Sequence, residues 1–207
     1  MNMLSLIASA ALIAAGSAAT TPVAEPDWRE RATEADQKRV AGWREALTSG
    51  TEGAVAAGQS EKLTSRTPLF DPDAGLERSM MPAGLYHCSL TKLGGEPDRG
   101  LPYIAYPSFR CRVVRQGNRF QFTKLTGSQL TAGWIYQDGD RQSVYVGTAF
   151  YEYEDRAAAY GQSEKRDQVA VVHRIGNQRW RMIYPFPYYE SVVNVMELTP
   201  VRLSLSR

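Results

Sequence analysis

Residues 167–200 read DQVAVVHRIGNQRWRMIYPFPYYESVVNVMELTP and contain three segments of alternating side chains. Within 169–174, Val169, Val171 and His173 fall on one face of a strand, and the residues between them fall on the other. Gly176 and Asn177 tolerate positive φ, so they predict a tight turn into 179–184. In that strand, Trp180 and every second residue lie on the face opposite to Arg181. Residues 192–198 return as a third strand. The stretch predicts an antiparallel meander.

The same alternation recurs upstream and extends the meander. The predicted strands are 84–90, 109–114, 120–125, 130–136 and 144–150, with turns at Gly117, Gly127 and Gly139. Residues 94–107 are predicted to form a Gly- and Pro-rich loop, and 151–166 a polar loop with a short helical turn at 156–159. About eight strands in up-and-down order predict a small closed barrel, which is either filled or holds one small ligand.

The N-terminal part has helical rather than alternating periodicity. Asp27 is a candidate cap, and apolar residues recur at helical spacing from Trp28 to Leu47, which predicts one amphipathic helix ended by Ser49 and Gly50. A weaker helix is predicted from Thr51. The fold class is therefore α+β: N-terminal helices followed by an antiparallel up-and-down barrel. The expected boundaries are 1–19 signal peptide, 20–80 helical segment and linker, and 81–207 barrel.

The first nineteen residues have the pattern of an export signal. Leu4 to Ala15 is an apolar run, and Ser17 and Ala19 fit the small-residue cleavage pattern. Residues 1–3 carry no Lys or Arg, and a buried helix or an uncleaved anchor is the alternative. A cleaved signal predicts a periplasmic or secreted protein without a transmembrane segment in its mature form.

Two cysteines, Cys88 and Cys111, lie within predicted strands. An oxidising compartment would allow them to bond, although two small buried thiols are the alternative. In the chain-entropy model such a disulfide contributes about 3 kcal/mol. The disulfide is the favoured interpretation.

Several function classes find no support in the sequence. The net charge is +2 with acids and bases interspersed, which argues against nucleic-acid binding. No nucleophile elbow is present, and His87 and His173 lie inside strands without an evident partner. Alternation places His87 and Cys88 on opposite faces of one strand, which argues against a zinc site. No cofactor, metal or catalytic residue is predicted, and the protein partner is unknown.

Several segments together resemble one bacterial family, called domain of unknown function 4893. The likeness extends from Trp28 to Pro200 and rests on WREALTSG, GLYHCSLTKLG, FRCRV, FTKLTGSQLTAGWIY, YVGTAFYEYE, RDQVAVVHRIGNQRWRMIYPFP and ESVVNVMELTP. The resemblance implies secretion and carries no assigned activity, so no functional residue is carried over. In outline the predicted barrel is lipocalin-like or avidin-like.

Polar residues inside the predicted strands are the candidate ligand contacts. Lys124, Arg181 and Glu197 each sit among apolar neighbours, and an inward-pointing charge would need an ion partner or a polar ligand. The alternative is that they point outward into water. Tyr86, Trp134 and Trp180 are candidate walls of the ligand site. Tyrosines in the loops, with Pro185 and Pro187 between them, would rim the barrel mouth.

Three functions remain open on the sequence alone. The first is a non-enzymatic module that binds a small hydrophobic or amphipathic molecule. The second is a structural or protein-interaction module of the cell envelope with a solid barrel. The third is a hydrolase that uses Glu190 or Glu197 with Lys124. A cavity of about 300 Å³ or more would favour the first.

Overall fold

A computed structural model describes residues 26–95 and 101–202. The predicted signal peptide, most of the 20–26 linker and the centre of the 94–107 loop lie outside the described residues. The strands are β1 Gly84–Leu93, β2 Tyr103–Ala105, β3 Phe109–Gln116, β4 Arg119–Lys124, β5 Gln129–Gln137, β6 Ser143–Tyr151, β7 Asp167–Gly176, β8 Arg179–Pro185 and β9 Val193–Pro200.

The strands form one closed antiparallel barrel. Each of β3 to β8 pairs with the next strand in the chain, and β1 pairs with β3 on one side and with β9 on the other. The β1–β9 pairing runs from Tyr86–Pro200 to Leu93–Val193, so it joins the first and last strands along most of their length. The short β2 pairs only with the last three residues of β1. The predicted barrel of about eight strands is confirmed.

Alternation places the side chains as the sequence predicts. The interior holds Tyr86, Cys88, Phe122, Tyr145, Val172, Trp180, Met182 and Leu198, all buried in one cluster. A second cluster on the outside contains Val169, Val171, Ile183 and Val195, which pack against the N-terminal helices. The barrel therefore buries both faces of β7, β8 and β9, which explains their nearly continuous apolar sequence.

The N-terminal helices differ from the prediction. Asp27 accepts a hydrogen bond from the Arg29 backbone N–H and caps only a 3-10 turn, Trp28–Glu30. Thr33 then caps α1, Glu34–Ala41, and Gly42 separates it from α2, Trp43–Ala56. A short α3, Ser60–Thr64, follows. The prediction of a single helix from Trp28 to Leu47 is wrong, because Thr33 caps a new helix.

Gly50 does not end a helix, contrary to the prediction, and lies in the middle of α2. A Cβ atom at Gly50 would lie 2.5 Å from Val193 Cγ1 and 3.2 Å from Leu93 Cβ. The absence of a side chain thus lets α2 approach the β1–β9 seam closely. The segment predicted as a second helix from Thr51 is the continuation of α2.

Two further local predictions are corrected. The turn after β7 is at 177–178, one residue later than predicted, because β7 contains a bulge between Arg174 and Gly176. Residues 156–159 form no helical turn. The loop instead has side-chain contacts on either side of them, including the ion pair of Arg166 with Glu154 at 2.7 Å.

Cys88 and Cys111 are joined by a disulfide inside the barrel. Both residues are fully buried, and their Cα atoms are 6.0 Å apart on the paired strands β1 and β3. The predicted pairing of the two cysteines is therefore present in the structure.

The middle of the barrel is filled by a tyrosine that lies over two glycines. Gly133 and Gly147 pair across β5 and β6, and the Tyr145 ring occupies the space above them. The Tyr145 hydroxyl hydrogen-bonds to Thr131 Oγ1 at 2.6 Å, so the fully buried phenol has a polar partner. The two glycines provide the volume that this ring requires.

We expect Gly147→Ala to lower the free energy of unfolding by about 2 kcal/mol. The new Cβ would lie 2.2 Å from the Tyr145 hydroxyl oxygen, so the ring must shift within a packed core. Urea unfolding measures the change. Gly53→Ala is the matched control in α2, because its Cβ would make an ordinary 3.5 Å contact and helix propensity should raise stability by up to about 1 kcal/mol. Equal effects of both variants would contradict this account.

Candidate functional site

A cavity opens at the end of the barrel where the long loops lie. Its volume is about 860 Å³, within the usual range for small-molecule sites. Loop segments 125–128, 152–166 and 186–192 surround this end, which we call the mouth. The buried core residues Phe122 and Tyr145, which touch at a ring-centroid distance of 5.6 Å, fill the barrel below it. The site is thus a cup with a solid floor.

The walls of the cup combine apolar and polar groups. Leu90, Tyr184 and Met196 face inward from β1, β8 and β9 and supply apolar surface. Asn194 and Gln168 supply neutral polar groups from β9 and β7. Such a lining suits a molecule that has both an apolar body and a polar group.

Two lysines project into the cup from strands β1 and β4. Lys124 is 5% exposed, and its ammonium donates a hydrogen bond to the Gln129 carbonyl oxygen at 2.5 Å. It also lies 3.9 Å from the centroid of the Phe109 ring. Burial, together with the charge of Lys92, lowers the pKa of Lys124 to about 8. Of the two positions that the sequence left open for Lys124, inward and outward, the inward one is observed.

Lys92 is 7% exposed, and its ammonium forms an ion pair with the Glu190 carboxylate. Glu190 belongs to the loop 186–192 and its side chain is half-exposed. Its backbone has φ 68°, and Phe186 at the start of the same loop has φ 45°. Left-handed backbone is costly for residues with a Cβ, so this loop is held in a strained conformation by its contacts.

The rim of the mouth is built from α1 and the long loops. Arg39 of α1 pairs with the buried Asp36 at 2.7 Å and donates to the Pro185 carbonyl at 3.1 Å. The Arg39 guanidinium also lies 5.1 Å from the Tyr188 ring centroid. Tyr188 in turn donates a hydrogen bond to Glu164 at 2.9 Å. These contacts connect the helix, the 152–166 loop and the 186–192 loop around one opening.

Exposed tyrosines extend outward from this rim. Tyr151 and Tyr153 stack with ring centroids 5.4 Å apart, and Tyr153 is 81% exposed. Tyr189 is 60% exposed on the opposite loop. Of the tyrosines that the sequence predicts at the mouth, Tyr151, Tyr184, Tyr188 and Tyr189 line the cavity. Tyr103, Tyr106, Tyr153 and Tyr160 do not line it.

Two predicted contact residues point inward at the opposite end of the barrel. Tyr86 and Trp180 meet edge to face with centroids 6.1 Å apart and line a separate hollow of about 1020 Å³. The Tyr86 hydroxyl donates to the Pro82 carbonyl at 2.6 Å, and burial raises its pKa to about 12. Within the described residues, Trp180 Nε1 is buried without a hydrogen-bond partner. These side chains close the lower end of the barrel.

The remaining three predicted contact residues lie outside the barrel. Trp134 packs beside the outer cluster under the Arg119 guanidinium, 4.3 Å from the ring centroid. Glu197 pairs with Arg66 at 2.9 Å and with Arg179 at 2.5 Å. The structure therefore does not bring Trp134, Glu197 or the outward Arg181 together with Lys124, and the proposed pairing of Glu197 with Lys124 in a hydrolase has no geometric basis.

Arg181 points outward but is fully buried beneath the linker between α3 and β1. Its guanidinium donates to the carbonyl oxygens of Leu69 at 2.9 Å and Asp71 at 2.5 Å. Its Nη2 lies 3.1 Å from His173 Nδ1, so this nitrogen accepts and the ring is neutral. Burial lowers the pKa of Arg181 to about 10. The sequence left open whether Arg181 points inward to a ligand or outward into water. It points outward, and alternation could not show that another segment would cover it.

Lys92 is the site residue that the sequence analysis missed. The prediction ended β1 at Leu90, whereas the strand continues to Leu93. Continuing the alternation of Tyr86, Cys88 and Leu90 by one step places Lys92 on the inner face. The signal was present, but Lys92 lay beyond the predicted end of the strand.

The burial of His173 should make stability depend on pH. Burial and the Arg181 charge lower the pKa of His173 to about 3, below its ordinary value of 6.5. Between these values the unfolded chain binds a proton that the folded chain does not, so stability falls as pH falls. We expect His173→Asn, whose amide oxygen can still accept from Arg181, to flatten the slope by up to about 1.4 kcal/mol per pH unit.

Urea unfolding between pH 6.5 and 4 measures both slopes. Because the asparagine loses the edge contact of the His173 ring with Trp43, at 4.9 Å between centroids, only the slopes and not the absolute stabilities are compared. Ring signals of His173 in NMR spectra should keep the neutral form over this range. Parallel pH profiles for the two proteins would contradict the assignment.

Within residues 26–95 and 101–202, no helix has the length and apolar character needed to cross a bilayer. The same residues contain no group of three or more His, Cys, Asp or Glu side chains placed to hold a metal ion. Neither a curated protein nor a solved structure matches the chain. Residues 28–198 match the family described as a domain of unknown function, DUF4893. This match covers most of the sequence, and the chain belongs to the DUF4893 family.

Proposed function

We propose that this protein is a non-enzymatic binding protein of the cell envelope or the secreted fraction, which holds one small amphipathic molecule in the mouth of its barrel. The observation that carries the proposal is the 860 Å³ cup with a solid floor. Its walls combine the inward apolar side chains of Leu90 and Met196 with the ammonium groups of Lys92 and Lys124. This combination of apolar and charged lining favours a ligand with an apolar body and a polar head.

An extracytoplasmic location is supported by two independent features. The apolar run and small residues before Thr20 are typical of a cleaved export signal. The buried disulfide between Cys88 and Cys111 is typical of an oxidising compartment.

A structural or interaction module is the second candidate. The packed middle of the barrel and the exposed Tyr153 and Tyr189 favour it, because exposed aromatic side chains are common at protein contacts. In that case the mouth would contact a protein and would hold no small molecule. The following experiment separates the two candidates.

We expect the purified chain to bind the neutral fluorophore N-phenyl-1-naphthylamine, and expect Ala149→Trp to weaken this binding about tenfold or more. Ala149 lies opposite Thr131 on the inner face and lines the cup, so an indole there would occupy it. Ala57→Trp is the control, because Ala57 is exposed at the end of α2 away from the cup. Fluorescence titration measures all three proteins.

Native mass spectrometry of protein from its own host should in addition show a bound small molecule. Absence of any adduct, together with no probe binding or with equal binding by the Ala149→Trp variant, would reject the carrier and favour the interaction module.

The location has its own test. We expect protein isolated from the host to begin at Thr20 and to gain two hydrogen atoms in mass on reduction, because the signal is removed and the two thiols are oxidised. N-terminal sequencing and intact mass measurement check both. A chain that begins at Met1 with free thiols would contradict the proposed location.

A further inference from the structure

Basic side chains outnumber acidic ones among the described residues that line the cup. The basic ones are Arg39, Lys92, Lys124, Lys165 and Arg166, and the acidic ones are Asp167 and Glu190. Arg39 and Arg166 are already paired, at 2.7 Å each, with Asp36 and Glu154, which do not line the cup. Asp167 accepts two hydrogen bonds from the Gly161 backbone N–H at 3.0 and 3.1 Å, so its carboxylate is also engaged. The cations that can receive an anion are therefore the lysines.

The two buried lysines differ in the groups that their ammoniums contact. Within the described part of the chain, the Lys124 ammonium contacts a carbonyl oxygen and an aromatic ring but no carboxylate. A buried ammonium without an anion is costly, so a negatively charged partner would stabilise it. Lys92, in contrast, already binds a carboxylate, that of Glu190.

The Glu190 carboxylate indicates what the cup accepts. It reaches Lys92 from a half-exposed loop position whose own backbone is strained at φ 68°. Because the Glu190 side chain is half-exposed, its carboxylate can be hydrated on release, whereas the buried Lys92 ammonium then needs another anion. Its release into solvent would also remove the constraint on the loop.

From this geometry we infer that the ligand is an amphipathic anion, whose carboxylate or phosphate binds Lys124 and Lys92 and replaces the Glu190 carboxylate there. The inference rests on the proposed function and specifies its ligand class. The apolar body of the anion lies along Leu90, Met196 and Tyr184, on the same inner face of the barrel.

The test uses four compounds with the same dodecyl chain and different head groups, which displace N-phenyl-1-naphthylamine from the full chain. Dodecanoate and dodecyl phosphate carry the two possible anionic heads, dodecanol is neutral and dodecyltrimethylammonium is cationic. We expect at least one anion to bind about tenfold or more tighter than dodecanol, since a charge-assisted hydrogen bond supplies that difference. The better of the two anions identifies carboxylate or phosphate as the preferred head.

Three variants locate the anion. Lys124→Met should weaken binding of the anion far more than binding of dodecanol, and so remove most of the preference for the anion. Glu190→Gln should raise anion affinity about threefold or more, because the buried Lys92 loses its competing carboxylate. Lys62→Met removes one exposed positive charge that does not line the cup and should change neither affinity. Lys92→Met serves in the same assay if Lys124→Met does not fold.

The outcomes separate this inference from the function on which it rests. Dodecanol binding as tightly as both anions, no loss of preference in Lys124→Met, or weaker anion binding in Glu190→Gln would each overturn the anionic site while the carrier function stands. Failure of the wild-type chain to bind the neutral fluorophore at all would instead reject the carrier function.

Discussion

The pairing of β1 with β9 is the constraint on which the rest of the structure depends. It joins two strands that are separated by about a hundred residues of chain, and it converts an open meander into a barrel with one interior. Once the sheet is closed, each inward residue faces the same narrow lumen. Lys92 on β1 and Lys124 on β4, far apart along the chain, consequently line one cup. Closure also leaves the outer face as a separate surface, which the N-terminal helices cover.

The two ends of the barrel have different roles because the loops are distributed unevenly. Short turns at 117–118 and 177–178 lie at the lower end, where Tyr86 and Trp180 fill the interior. The longer connections lie at the mouth and bring basic and aromatic side chains around the cup. Between the ends, Tyr145 above Gly133 and Gly147 makes a packed floor. The protein thus combines a packed core with a rim of longer loops.

The sequence was a good guide where a local pattern determines the structure. Alternation predicted the strands and the faces of Trp180, Lys124 and Val171, because a strand with two different faces leaves a period of two in the sequence. It could not show what covers the outer face, since that depends on how a distant segment folds back. The sequence offered Arg181 either as an inward ligand contact or as an outward residue, and alternation alone could not predict its burial beneath the linker. The helix breaks at Thr33 and Gly42 were not predicted for a related reason. Caps and close packing can interrupt a helix even where apolar residues continue at helical spacing.

The buried Arg181 has a consequence for the unity of the molecule. Its guanidinium holds backbone carbonyls of the segment that follows the helices, while its own strand forms the barrel wall. Removing the segment before Met81 would leave this cation and the neutral His173 ring in an apolar wall that lacks its acceptors. Helices and barrel should therefore melt in a single cooperative transition, with one shared calorimetric peak. A truncated barrel would be an aggregation-prone fragment.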